Sequence, residues 1–193
     1  IVSFICGIAA NGLLSVSYKI PQIINTLQSI FIQAWQISAI KEYGSEDTSI
    51  FYGKTFTTIN FIMCITCSLL IIFTKTIASI LYSKDFYLAW KYVPFLLISS
   101  VFNCASGLLG PILSAKKDSK TLMWSAIIGA GCNIILNFAF IYLIGVQGAT
   151  IATVICSYII FLVREKSVRN DIKFKNYSLI KITWGLLCFQ AMI

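Results

Sequence analysis

The chain has 193 residues, of which 58% are hydrophobic and only 11% charged, and its mean hydropathy is +0.86. A soluble domain carries about 25% charged residues, so this composition excludes an ordinary water-soluble fold and points to an integral membrane protein. The net charge of +8 would suggest nucleic acid in a soluble chain, but in a membrane protein the positive-inside rule accounts for it, and no nucleic-acid partner is expected.

Crossing the hydrocarbon takes roughly 17 to 25 apolar residues per helix. Taken in chain order, apolar runs predict spans at 1–18, 21–40, 55–73, 92–113, 121–143 and 146–163, and a last one from 179 that is cut at 193. The first run has neither the basic n-region nor the small-residue cleavage site of a signal peptide, so it reads as part of a span. Both outer runs meet the ends of the chain, which predicts that the sequence is a fragment. Strands of a membrane barrel would show segments of about 10 residues with alternating polarity, and these runs are longer and unalternating. The expectation is an all-α, polytopic transmembrane helix bundle, with 1–193 forming a single transmembrane domain fragment. Pro21 is predicted to open a helix, and Gly110 and Pro111 to kink one. Gly44, in KEYGSED, marks a polar turn.

The loops alternate sides, so their charges can be compared. Ten basic residues fall on one side: Lys41, Lys54, Lys116, Lys117, Lys120, Arg164, Lys166, Arg169, Lys173 and Lys175. Four fall on the other, Lys19, Lys75, Lys84 and Lys91. The first side is therefore predicted to be cytoplasmic, with Lys181 adding to it. The seven cysteines all lie in apolar segments and the chain has no histidine. Cys64 and Cys67 match CxxC in spacing alone, without a βαβ context. Small helix residues packing against neighbours explain the cysteines better than redox or metal chemistry, so neither a cofactor nor a metal is expected, and no catalytic residue.

Four spans carry polar faces. At 100° per residue, Gln22, Asn25, Thr26, Ser29, Gln33 and Gln36 share an arc of roughly 100°, with Gln28 outside it. Ser99, Ser100, Asn103, Ser106, Gly107, Gly110 and Ser114 gather similarly on the 92–113 segment. Thr57, Asn60, Cys64 and Ser68 do so on the 55–73 segment. Ser125, Gly129, Asn133 and Asn137 recur every four residues on the 121–143 segment. Polar groups facing lipid tails find no partner, so these faces must turn toward other helices or a wet cavity. Helix packing by small residues and amides would explain one stripe; four stripes favour a hydrophilic cavity. Its predicted lining is Gln22, Asn25, Ser29, Gln33, Gln36, Asn60, Asn103, Ser106, Asn133 and Asn137. No Asp or Glu falls within a complete predicted span, which disfavours a cationic solute and suits one rich in hydroxyls, such as a sugar.

The run NIILNFAFIYLIGVQGATIATVICSY, Asn133 to Tyr158, resembles the C-lobe signature of polysaccharide flippases of the Wzx type. These belong to the multidrug/oligosaccharidyl-lipid/polysaccharide exporter superfamily. GLLSVSYKIPQI at Gly12 to Ile23 and FIQAWQISAIKEYG at Phe31 to Gly44 agree with it, and LSAKKDSK at Leu113 to Lys120 is similar to its basic cytoplasmic loop. The resemblance covers nearly the whole chain in order. It implies the C-terminal lobe, from the seventh helix to the start of the thirteenth, of a MATE-like transporter of 12 to 14 helices in the bacterial plasma (inner) membrane. The implied partners are membrane lipids, a missing N-terminal lobe and an undecaprenyl-diphosphate-linked oligosaccharide moved between leaflets.

Relatives are described as meeting the diphosphate with cationic residues in the cavity, whereas no Lys or Arg falls in the middle of a complete predicted span. Lys19, Lys54 and Lys91, at helix ends, are the candidate diphosphate contacts, with interfacial snorkelling as the competing account of each. Two alternatives stand beside the flippase. One is a drug or cation antiporter of the same superfamily, which the other lobe could support with an intramembrane carboxylate. The other is a membrane-embedded glycosyltransferase or ligase, which would need catalytic carboxylates or histidines and a large extramembrane loop that this sequence lacks.

Overall fold

A computed structural model describes residues 2–172 and 177–192, and among them helix is the only regular structure. Lys173 and Lys175, counted above with the basic side, lie outside the described residues, as do positions 1 and 193. In chain order the helices are α1 (Val2–Ile5), α2 (Ile8–Ser17), α3 (Lys19–Lys41) and α4 (Thr48–Leu81). A 3-10 helix (Lys84–Lys91) follows, then α5 (Val93–Ala115), α6 (Ser119–Ile144), α7 (Val146–Val168) and α8 (Tyr177–Met192). Four of these, α4, α5, α6 and α7, are long and apolar enough to cross a membrane. The molecule is thus a polytopic transmembrane helix bundle. The α3 helix has 23 residues, enough to cross about 30 Å, but its amides keep it below the apolarity of those four.

At the centre stands α5, whose small and branched residues are buried almost all round, among them Leu97, Cys104, Ala105, Leu109 and Leu113 at 0% exposure. Such a helix has no lipid-facing side and must be enclosed by others. It is enclosed by α3, α4 and α7, with α6 against α7 and α8 against α4. The outer faces of α4 and α6 expose Phe61, Ile72, Ile134, Ile135 and Phe138, apolar side chains suited to lipid. The helix α5 continues through Pro111 to Ala115.

The helix α4 is 34 residues long, well beyond the expected span 55–73 at both ends. Hydropathy sees only its apolar middle, whereas the helix also includes Lys54 and Lys75. The residues between those two lysines rise about 30 Å, the thickness of the hydrocarbon, so both ammonium groups reach the interfaces from within one helix. The expected span over 1–18 differs more. Gly7, at φ 88, in the left-handed region that a side chain disfavours, divides it into α1 and α2. Leu14 of α2 packs with Ile141, Val146 and Ala149 at the tip of the α6–α7 hairpin. No loop follows α2: only Tyr18 separates it from α3. Pro21 lies in the first turn of α3, and its ring would clash with the carbonyl of Ser17, where α2 stops.

The α6–α7 hairpin turns at Gly145 (φ 65). A side chain at Gly148 would meet the backbone at the Phe140 carbonyl and the Ile141 nitrogen, so this close approach requires glycine. At the opposite end, Asp118 caps α6. It accepts from the Thr121 backbone N–H at 3.1 Å, the Thr121 hydroxyl at 2.6 Å and, from α7, the Ser167 hydroxyl at 2.7 Å. Lys116 pairs with Asp171 at 2.7 Å and donates to the Ser167 carbonyl at 3.3 Å. The α5–α6 turn is thereby tied to the end of α7.

The Thr121 hydroxyl, the Ser167 hydroxyl and the Thr121 N–H together hold the Asp118 carboxyl down to about 2, from 3.8. A depressed folded-state pKa contributes stability that is complete above the unfolded value and lost as pH falls through the folded one. The purified protein should therefore lose thermal stability between pH 4 and 2, and Asp118→Ala should remove that acid-dependent step. At neutral pH the variant should melt about 2 to 4 °C lower, the scale of one lost cap. Equal melting temperatures at pH 7, or equal acid slopes, would show that the cap contributes nothing.

Candidate functional site

The four polar stripes do not all reach the same place. On α4, Asn60 and Cys64 are buried and belong to the seam against the rest of the bundle, with Tyr52, Phe56, Cys67 and Ile71 at intervals of three and four. Asn60 Nδ2 donates to the Phe56 carbonyl at 3.1 Å, and its Oδ1 is buried without a partner among the described residues. Ser68 donates to Gln190 Oε1 of α8 at 2.7 Å, and Gln190 Nε2 donates back to the Ser68 carbonyl at 3.1 Å. On α6, Ser125 and Gly129 are buried, with Ile160 of α7 occupying the space a Gly129 side chain would need. Asn137 Nδ2 donates at 2.8 Å to both the carbonyl and the Oδ1 of Asn133. Both asparagines are half-buried. Asn60, Asn133 and Asn137 are thus placed in or beside helix seams.

The α3 stripe differs. Viewed down its axis, α3 presents three sides. One is buried and holds Ile20, Ile24, Trp35 and Ala39. Trp35 Nε1 donates to the Leu108 carbonyl of α5 at 3.0 Å, and the Tyr52 hydroxyl to the Ala39 carbonyl at 2.6 Å, fixing α3 in rotation. A second side exposes apolar Ile23, Leu27, Ile30 and Ile37. Between the two lies the amide side, with Gln22, Ser29, Gln33 and Gln36 exposed and Asn25 half-buried. Thr26 and Ser29 satisfy their hydroxyls on the backbone of α3 itself, at 2.9 and 2.7 Å, whereas the buried oxygens Asn25 Oδ1 and Gln28 Oε1 have no partner among the described residues.

The one narrow strip of α5 that is not enclosed carries Asn103 and Ser114, both exposed, with Gly107 and Gly110 half-buried between them and Ser106 buried beside them. Ile32 and Gln28 of α3 lie over Gly107. On helical projection, Ile32 borders the amide side of α3 and Gly107 borders the open strip of α5. The two polar surfaces therefore adjoin across the α3–α5 seam.

Next to that strip is a cation. Arg164, counted above with the basic loop, lies within α7, whose helix runs on to Val168. Its Nη1 donates to the Ser106 carbonyl of α5 at 2.9 Å, its Nε to the Ser125 hydroxyl of α6 at 3.1 Å, and Gly110 leaves room for the guanidinium. Helical side chains lean toward the N-terminus, which on α7 means toward the middle of the bundle. A guanidinium has five N–H donors, and two bonds leave the others for a ligand. Glu165, also inside α7 and 8% exposed, lies in its last turn. Hydropathy ends this segment near Val163, but the buried spacing Cys156, Ser157, Phe161, Glu165 and Val168 continues past it, and that periodicity was the available signal.

The three lysines expected near a diphosphate are all exposed and are not brought together. Lys19 opens α3 and Lys91 closes the 3-10 helix, while Lys54 is in the second turn of α4.

What results is two adjoining polar surfaces, on α3 and α5: hydroxyls and amides, no carboxylate on either contributing face, and a fixed guanidinium at the edge of the second. Chemically they can accept from and donate to a polyhydroxylated solute and can pair with an anion. A family model described as MatE matches residues 14–139, from the middle of α2 through most of α6. No curated protein and no solved structure matches the chain.

Proposed function

We propose that this chain, which belongs to the MatE family of membrane transporters, is the C-terminal lobe of a flippase moving a lipid-linked oligosaccharide between leaflets by alternating access. The observation that carries the reading is the amide side of α3. It is separate from both the packed and the lipid-facing sides of that helix, so packing within this bundle does not account for it. Facing hydrocarbon would leave its amides unpartnered. Water in a cavity shared with a second lobe supplies the partners.

Gln22, Asn25, Ser29, Gln33 and Gln36, with Asn103 of α5, would meet the sugar hydroxyls, while Ser106, buried beside them, holds Arg164 through its carbonyl. Arg164 would meet the diphosphate in place of the helix-end lysines, and the polyprenyl tail would remain in the lipid. A drug or cation antiporter is the second reading, and Glu165 is the residue that favours it. A last-turn position, away from the amide surface, makes it the weaker of the two.

Gln33→Leu tests the cavity directly. In the full-length transporter the change should leave membrane abundance within about twofold, since surface substitutions cost little. Transport should fall about tenfold, the equivalent of one lost hydrogen bond to a polar solute. Loss of the protein from the membrane with normal specific activity would instead mean that the amide holds helices together.

A further inference from the structure

Away from the amide surface, residues of α4, the 3-10 helix, α5, α7 and α8 line a half-open cavity of about 550 Å³, within the range of small-ligand sites. Its polar lining includes Thr74, Lys75, Lys91, Gln147 and Gln190, and its apolar wall includes Ile71 and Phe95. Among the described residues no carboxylate lines it and neither lysine forms an ion pair. Lys75 Nζ sits 4.7 Å from the centre of the Trp90 ring, a cation–π contact that holds the ammonium at the cavity wall. Gln190 is fixed by its two bonds to Ser68.

Two ammonium groups in one cavity, with no ion pair among the described residues, attract an anion, and an apolar wall beside them attracts a chain attached to it. The position suits such a ligand. Lys75 lies in the last two turns of α4, and the 3-10 helix after it exposes Tyr87 and Leu88, the composition of a membrane–water interface. Basic pockets on the cytoplasmic side of membrane proteins bind phosphate-bearing headgroups by this combination of charge and depth; by the charge count above, Lys75 and Lys91 would meet such headgroups in the opposite leaflet.

We infer that this cavity is a binding site for the phosphate headgroup of an anionic membrane lipid, held by Lys75 and Lys91 with its acyl chains along Ile71 and Phe95. The inference does not depend on which solute the transporter moves.

The test uses the full-length transporter in detergent, equilibrated with phosphatidylglycerol or with phosphatidylcholine, and native mass spectrometry to count retained lipid. Retention of phosphatidylglycerol should drop about tenfold in the Lys75→Gln/Lys91→Gln variant, the equivalent of about 1.4 kcal/mol, and phosphatidylcholine retention should not change. The Lys75→Arg/Lys91→Arg variant should retain phosphatidylglycerol as the unmodified protein does, which separates lost charge from lost folding. Millimolar inorganic phosphate should not displace the lipid. Equal phosphatidylglycerol retention by the glutamine variant, or failure of the arginine variant to retain it, would overturn the assignment. Displacement by inorganic phosphate would overturn it in favour of a soluble anion.

Discussion

Arg164→Leu is expected to reduce transport of a lipid-linked oligosaccharide by about a hundredfold, because hydrogen bonds to a charged group contribute about 1.5 to 3 kcal/mol. Arg164→Lys should keep the charge but lose the planar fork, falling about tenfold. The guanidinium also ties α5 to α6 and α7, through the Ser106 carbonyl and the Ser125 hydroxyl, so abundance and melting temperature must be read beside activity. The lysine variant separates the roles. If Arg164 only clamps helices, lysine and leucine should lower the melting temperature while specific activity stays normal. If it meets an anion, the leucine variant should lose activity per folded molecule, and transport of the substrate should be more salt-sensitive in the lysine variant than in the unmodified protein. The assay is movement of a fluorescent lipid-linked oligosaccharide across vesicles containing the full-length protein.

The central helix and the α6–α7 hairpin were the easiest to read. The apolar runs of α5 and α6 begin and end within about two residues of their helices, and that of α7 begins with its helix, because length and hydropathy directly report the need to cross hydrocarbon. At the ends of α4 the same signal misleads. Lysine side chains snorkel, so a helix can continue through Lys54 and Lys75 while the hydropathy falls. Arg164 is hidden for a related reason: placed after an apolar run, it looks like a loop charge, and only the continued spacing to Val168 shows that the helix has not ended. The break at Gly7 was visible as a glycine but not as a positive φ, which depends on how α2 lies against the α6–α7 hairpin.

The polar stripes show a second limit. A projection of one helix shows that residues share a face, not what that face meets. Asn60 and Asn133 have the same helical signature as Gln33, yet the first two lie in or beside seams and the third is exposed. The difference comes from packing partners far away in sequence: α6 is covered by α7, α4 by α5 and α8, while the amide side of α3 is left open beside α5. Absence of carboxylates from the α3 and α5 faces was legible from the sequence alone, but Glu165 shows that a segment boundary drawn at Val163 hides what lies just past it.

The largest effect expected belongs to the gene as a whole. A sugar head group cannot cross about 30 Å of hydrocarbon unaided, since each desolvated hydroxyl costs several kcal/mol, whereas a polyprenyl tail stays in lipid while its head follows a polar groove. Loss of the transporter should therefore stop the crossing almost completely. Residues 1–193 alone should not restore it, because rocking transporters alternate access by moving one repeat against another. The most direct measurement is the sidedness of undecaprenyl-diphosphate-linked oligosaccharide in a deletion strain, read together with its surface polysaccharide. Accumulation on the cytoplasmic leaflet, depleted surface polysaccharide and restoration by the full-length gene are the predicted result. Normal surface polysaccharide with new sensitivity to cationic dyes would contradict it and make the protein a drug antiporter.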